Sequence, residues 1–472
     1  MENQKPSLEE VFSPRGVAVV GASPIGRNSE FVQSLQESGF PVIYPVNPKY
    51  TDIAGLPCYP SLKDIPGVVD YVIVSIPAES TLALLDDCAA KGIKAVHFFT
   101  AGFSESGHTE RAELESAMLE KARAGGFRII GPNCDGISVP KSRLLSWIKM
   151  PLEAGPIAFI SQSGGNAASL PFFNSPRGLR FSKVVSYGNA LDVNESELLH
   201  YLSQDPETEI IAAYIEGVKD GRQFLNVLKE AATRKPVVIY QGGTTEAGRR
   251  ATHGHTASLT SSAVVFDVLC RQMNTIQVDD LDELADVLVA LRFVTPLPRG
   301  TGVAVVGVGG GPAVLASDEM ERVGLHLPNL SPEVEVELRQ LLPIAGTIFS
   351  NPLDSLFLMS PEGLLASLRV LGKLPYIHMF VYHMGFHPAT RWDDGRFSSA
   401  DFLQPTIDSL TTAMKVTSRP IVIVLRPPPG LSGMKDFLTV QEAFVDARFP
   451  VFHSLRQVAK AMARVVAWNQ AQ

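Results

Sequence analysis

A histidine set among glycines and threonines is the residue of this chain best suited to phosphate chemistry. The run EAGRRATHGHTASLT (246–260) carries His253 and His255, with Arg249 and Arg250 just upstream. A core histidine is surrounded by Val, Ile and Leu. Here the neighbours are Gly, Thr and Ser, so the imidazole of Gly254-His255-Thr256 reads as part of a flexible polar loop that phosphate can reach. Three other stretches offer amides to an anion: GASPIG (21–26), SQSGG (161–165) and GVGGG (307–311) each follow a short apolar run and precede a helix-like segment. A helix amino end presents unpaired N–H groups and the positive end of its dipole. Three such turns point to a phosphate-handling protein, although a tight strand-to-helix turn also calls for glycine on steric grounds alone.

The elements that must position these residues alternate strand-like and helix-like along most of the chain, the pattern of parallel sheets with crossover helices. The first module has apolar runs at 16–22, 41–47, 71–77, 94–100 and 127–133, a Rossmann-like count. A second has runs at 156–161, 181–188, 209–217 and 235–243. A third has runs at 302–307, 376–383 and 419–426, and ends in a helical stretch over 451–469. Pro-rich segments at 150–156 and 292–300 read as linkers, giving an α/β chain with domains at 1–150, 151–294 and 295–472. Glu216 ends the run EIIAAYIEG (209–217), which places it at the carboxyl edge of a sheet, where open α/β folds bind ligands. A solvated strand-end acid is the ordinary alternative.

The second strand of the first module ends Val46-Asn47-Pro48-Lys49. An NAD site needs an acid there for the ribose; a lysine instead suits a ribose phosphate, as in coenzyme A or NADP, unless Lys49 is simply a solvated surface residue. The loops IPAES (76–80) and TAGFS (100–104) would line the same crevice. Charge is mildly acidic, 41 basic against 49 acidic residues without a long basic tract, which argues against nucleic acid as partner. Cys58, Cys88, Cys134 and Cys270 lack metal-ligand spacing and read as buried, reduced thiols. His378, His383 and His387 tempt a metal reading, but the strand spacing puts the first two on opposite faces, so no metal site is expected. The amino terminus lacks a signal-peptide layout and no apolar run is long enough to span a bilayer, so a cytoplasmic protein is expected.

Taken in order, GASPIG, NPK, PAES, TAGFSE, GPNCDG, ISQSGG, FSKVVSYGNALDVNESELLHYL, YIEGVKDG, GHTASL and NPLD resemble the α subunit of NDP-forming acyl-CoA synthetases, from about Val11 to the last helix. That family includes ADP-forming acetyl-CoA synthetases and, more distantly, succinyl-CoA synthetase. The resemblance implies a Rossmann-like CoA-binding domain followed by two flavodoxin-like (succinyl-CoA synthetase-like) domains. It also implies that His255 is phosphorylated, that Glu216 orients it, and that Ser161, Ser163, Gly164 and Gly165 hold the phosphoryl group. Gly21, Ser23, Gly26, Lys49, Pro77 and Asn133 become the CoA residues, and Asn351-Pro352-Leu353-Asp354 either shapes an acyl pocket or caps a turn.

The reaction so implied joins a carboxylic acid to CoA at the expense of ATP, giving acyl-CoA, ADP and phosphate. ATP and Mg2+ belong to an ATP-grasp module, for which a separate β subunit is expected. The chain departs from the family in having Ala257 and Thr260 where small glycine-containing residues follow the histidine, and Gln241 where a lysine ends the preceding strand; Ala257 restricts the loop. A CoA- or acyl-CoA-binding regulatory protein of the same fold is the rival reading.

Overall fold

A computed structural model describes residues 5–147, 149–256, 263–384, 399–428 and 433–472; the side chains of residues 253–256 and 399–401 lie outside that description. The chain divides into two compact units, Met1–Ser175 with Arg180–Leu281, and Pro176–Leu179 with Asp282–Gln472. No helix among the described residues is long and apolar enough to cross a membrane.

The first unit contains two large sheets. One is fully parallel, in the order Ile43–Val46, Val17–Val20, Tyr71–Val74, Ala95–Phe98 and Arg128–Ile130. Its central strands are buried at every residue, which is why they read as unbroken Val and Ile runs rather than as alternation. The other runs Ile276–Val278, Val237–Gln241, Ile210–Ile215, Ala154–Ser161 and Phe181–Ser186 in parallel, then continues into an antiparallel ribbon, Ile137–Val139 and Leu144–Leu145.

Two boundary expectations change. The segment 150–156 is only partly a linker, because the strand begins at Ala154, where it pairs with Phe181. The ribbon at 137–145 joins the second sheet, on the amino-terminal side of position 150. One apolar cluster runs through both sheets of this unit, from Val17, Val19 and Tyr71 through Ile130 to Ile160, Val185 and Ile211.

A buried cation ties the two sheets. Arg128, 3 % exposed at the start of an edge strand, donates from Nε to Asp192 Oδ2 at 2.7 Å and from both terminal nitrogens to Glu197 at 2.8 and 2.6 Å. Asp192 also accepts from the amide of Ile129 at 3.1 Å. Burial favours the protonated form of Asp192, but Arg128 and that amide outweigh it and hold the carboxyl below its ordinary range.

The described residues of the second unit form one sheet in the order Thr347–Ile348, Leu353–Ser355, Val303–Gly307, Met379–Met384, Ile421–Leu425 and Val451–Phe452. The tail expected to be helical over 451–469 instead opens with that last edge strand. The helix Leu455–Gln470 follows, with Ser454 accepting from the amide of Gln457.

Two outcomes follow from this packing. Arg128→Met removes the buried partner of Asp192, leaving it the Ile129 amide and the exposed Lys5, and lowers unfolding stability by about 3 kcal/mol, visible as a lower urea midpoint. All four cysteines are buried, and burial raises their thiols, Cys270 to about 11. A thiol-specific disulfide reagent at pH 8 therefore reacts slowly with the native chain and with all four thiols at once in denaturant; a fast native reaction would contradict the packing.

Candidate active site

At the carboxyl ends of the first sheet lies an open crevice of about 710 Å³, walled by Gly21, Asn47, Lys49, Lys63, Ser75 and Pro77 among others. Gly21 has φ +87°, and a Cβ there would lie 2.2 Å from the carbonyl oxygen of Ser75, so the turn can hug the neighbouring strand only as glycine. Asn28 fixes the same turn. Its Nδ2 donates to Gly21 O at 3.0 Å and its Oδ1 accepts from Ser75 Oγ at 2.7 Å. Asn47 donates to Ala22 O at 2.8 Å and accepts the amide of Lys49 at 3.0 Å, which sets Lys49 on the crevice rim with its side chain in solvent.

Of the six residues carried over for CoA, Gly21, Lys49 and Pro77 line the crevice. Ser23 instead bonds within its own loop, to Ile25 O at 2.9 Å. Gly26 begins the helix Arg27–Glu37, which has no side-chain cap. Asn133 follows the edge strand farthest from Lys49, its amide on Thr100 O at 3.0 Å. Lys63, paired with Asp87 at 2.6 Å, is a second cation at the crevice that the sequence motifs did not single out.

The SQSGG turn sits in the same unit, at the end of Ala154–Ser161. Ser161 is fully buried and its hydroxyl both donates to Ser163 O at 2.7 Å and accepts the Ser163 amide at 3.1 Å. Ser163 caps the helix Gly164–Asn174 by accepting the amide of Asn166. That uses the third amide of the first turn and leaves Gly164 and Gly165 facing outward at the positive end of the helix.

Glu216 lies one strand over and is 6 % exposed, so the expectation of an edge position is met and the solvated alternative is not. The link between turn and carboxylate is Gln162. Its Oε1 accepts the amides of Glu216 and of Gly217, the latter at 2.9 Å. Tyr214 Oη donates to Glu216 Oε1 at 3.1 Å; burial first, and Glu216 second, raise that phenol above its ordinary range, so it stays a neutral donor. Fully buried Tyr187 is raised likewise, by burial and then by Glu195 and Glu216, and its hydroxyl has no partner among the described residues.

His255 belongs to the last turn of a helix, Glu246–Thr256, where the sequence suggested a flexible loop. Thr245 starts the helix, its Oγ1 accepting from the Gly248 amide at 3.0 Å, and Arg250 pairs with Glu246 at 3.1 Å one turn on. The side chains of His253 and His255 lie outside the described residues, as do Ala257 and Thr260 altogether. Gln241, at the end of Val237–Gln241, is 3 % exposed.

In the second unit, Asn351 patches backbone: it donates to Val303 O at 2.7 Å and accepts from the Val305 amide at 3.0 Å. Asp354 accepts the Gly309 amide at 2.6 Å, so the NPLD motif serves as turn chemistry. His378 accepts from the Gly302 amide at 3.2 Å, His383 is buried beside Asp354, and His387 lies outside the described residues. Cys134 is packed, 3 % exposed.

Comparison with known proteins bears on the family and the fold. Residues 15–140 match a CoA binding domain family and residues 154–291 a succinyl-CoA ligase like flavodoxin domain family. The α subunit of acetate–CoA ligase [ADP-forming] II of Pyrococcus furiosus is 36% identical over 376 residues, covering 79% of this chain and 81% of that one. Acetate–CoA ligase [ADP-forming] I of Archaeoglobus fulgidus is 36% identical over 369 residues, which are 78% of this chain and 53% of that longer one. A solved structure of the dinucleotide forming acetyl-coenzyme A synthetase 1 of Ca. Korarchaeum cryptofilum, in complex with phosphate and ADP, superposes with a TM-score of 0.80 at 28% identity, covering 98% of this chain and 97% of that one. The chain belongs to the α-subunit family of the ADP-forming, or more broadly NDP-forming, acyl-CoA synthetases.

Proposed function

We propose that the chain is the CoA-binding, phosphohistidine-bearing subunit of an acyl-CoA synthetase. The reaction is carboxylic acid plus CoA plus ATP giving acyl-CoA, ADP and phosphate. ATP and Mg2+ are handled by a separate ATP-grasp β subunit, in keeping with a relative that is named as an α subunit. The observation that carries the reading is the knot at the second sheet's edge, where Gln162 joins the Gly164 helix amino end to the buried carboxylate Glu216.

The division of labour follows from the chemistry. His255 is the nucleophile toward phosphorus. Glu216 accepts the N–H of its other ring nitrogen and so fixes the tautomer, and the Gly164 and Gly165 amides take the transferred charge. His255 takes the phosphoryl group from the nucleotide and passes it to the carboxylic acid, forming an acyl phosphate; CoA sulfur then displaces phosphate to form the thioester. The crevice suits CoA because Lys49, exposed on its rim, stands where a nucleotide phosphate needs neutralising, with Lys63 beside it paired to Asp87, and the second strand ends in Asn47-Pro48-Lys49 rather than in the acid an NAD ribose requires.

The test is thioester formation by the chain with its ATP-grasp partner across a panel of carboxylic acids. His255→Ala abolishes turnover. Glu216→Gln lowers kcat by roughly 10²–10³-fold with the KM for CoA unchanged, whereas Lys49→Ala raises the KM for CoA about tenfold with little change in kcat. A His255→Ala enzyme that still forms thioester at the parent rate would overturn the reading.

A further inference from the structure

Beside the two outward amides of Gly164 and Gly165 stands a carboxylate that no part of the proposed chemistry uses. Asp135, in the GPNCDG turn, is 7 % exposed. Its backbone amide is pinned to Ser186 Oγ at 3.1 Å, at the end of the strand next to Ala154–Ser161. Its Oδ1 accepts from Arg27 Nη2 at 3.1 Å, while its Oδ2 is the oxygen nearer the start of the helix. The carboxyl group presses on the first residue of the helix: a Cβ built on Gly164 would come within 2.7 Å of both Asp135 Cγ and Oδ2. Gly164 therefore makes room for Asp135, and the carboxylate faces the helix amino end without capping it.

Resting on the phosphoryl-site reading above, we propose that Asp135 is a built-in counter-anion of that site, a positioning residue that keeps the Gly164–Gly165 amides from holding phosphate too tightly. A phosphate docked on those amides is brought close to a second negative charge in a partly dehydrated setting, where like charges repel strongly. A carrier site needs that opposition. Amides and a helix dipole alone retain phosphate as a product inhibitor, whereas a fixed carboxylate favours its release.

Arg27 sets how much of the repulsion is felt. It is the first residue of the helix after the Gly21–Gly26 turn, and its side chain is 59% exposed while the Asp135 side chain is 10% exposed. The pair thus joins the turn at the CoA crevice to the turn at the phosphoryl site within one unit.

The proposal is tested by titrating the full chain with inorganic phosphate in a calorimeter. Asp135→Asn, which keeps the shape and removes the charge, binds phosphate about tenfold more tightly, and Arg27→Gln, at an exposed position, binds it several-fold more weakly. The double variant behaves like Asp135→Asn. These opposite signs separate the electrostatic role from a structural one, since losing a merely structural ion pair moves both single variants the same way. Gly165→Pro removes one amide in the first turn of the helix, where that N–H has no intrahelical acceptor to lose, and weakens phosphate in the parent and in Asp135→Asn alike. A parent that takes up no phosphate, or a Gly165→Pro chain that binds it unchanged, overturns the phosphoryl-site reading and this proposal with it. A parent that binds phosphate while both single variants weaken, or neither moves, overturns the proposal alone.

Discussion

The functional edge of the first unit depends on parallel register. Ser161 lies opposite Ser186 on one side and Tyr214 on the other. Three neighbouring strands therefore end within one residue of each other, and the residues just beyond them, Gln162, Tyr187 and Glu216, emerge at one place. Helices bury both faces of such a sheet, so the strand ends are where polar chemistry gathers. Gln162 turns alignment into a fixed site. A single side-chain oxygen accepts two consecutive amides of the next strand's exit, and the SQSGG turn cannot shift without breaking both.

Charge is arranged at this edge with the same economy. Glu216 is nearly buried, yet its surroundings are neutral phenols held protonated by burial and by its own field. The neighbouring helix end carries amides rather than cations, which suits a group that must be held and then let go. The first sheet's crevice is built differently, with lysines at a solvent-open rim, as befits a ligand that brings its own phosphates and stays at the surface.

Much of this was legible in the sequence because burial on both faces leaves an unmistakable mark. The runs ending at Val20, Val74, Ser161 and Ile215 are apolar at nearly every position, and the glycine turns after Val20 and Ser161 announce the helices that follow. Short elements escaped. The ribbon Ile137–Val139 with Leu144–Leu145 is too brief to show a period, and the strand at Val451–Phe452 was absorbed into the helix that follows it. The helix Glu246–Thr256 was read as a loop because its glycines and threonines have low helix propensity, while the signals that offset them, the Thr245 cap and the Glu246–Arg250 pair, are local and easily passed over.

At the site, Glu216 and the SQSGG turn were visible as motif residues. Gln162, inside the same motif, was not, since its partners lie on a strand about fifty residues away and no spacing rule reveals them. Asp135 was hidden for the same reason: its neighbours Arg27, Gly164 and Ser186 come from three separate segments.

The central claim is that a phosphoryl group resides on one imidazole of this chain. The most direct measurement is peptide mapping, under alkaline conditions that preserve phosphoramidates, of the chain after exposure to an acyl phosphate or to ATP with the ATP-grasp subunit. One phosphorylated peptide is expected, modified at His255. Phosphate on His253, on a carboxylate or hydroxyl elsewhere, or on no residue under turnover conditions would contradict it.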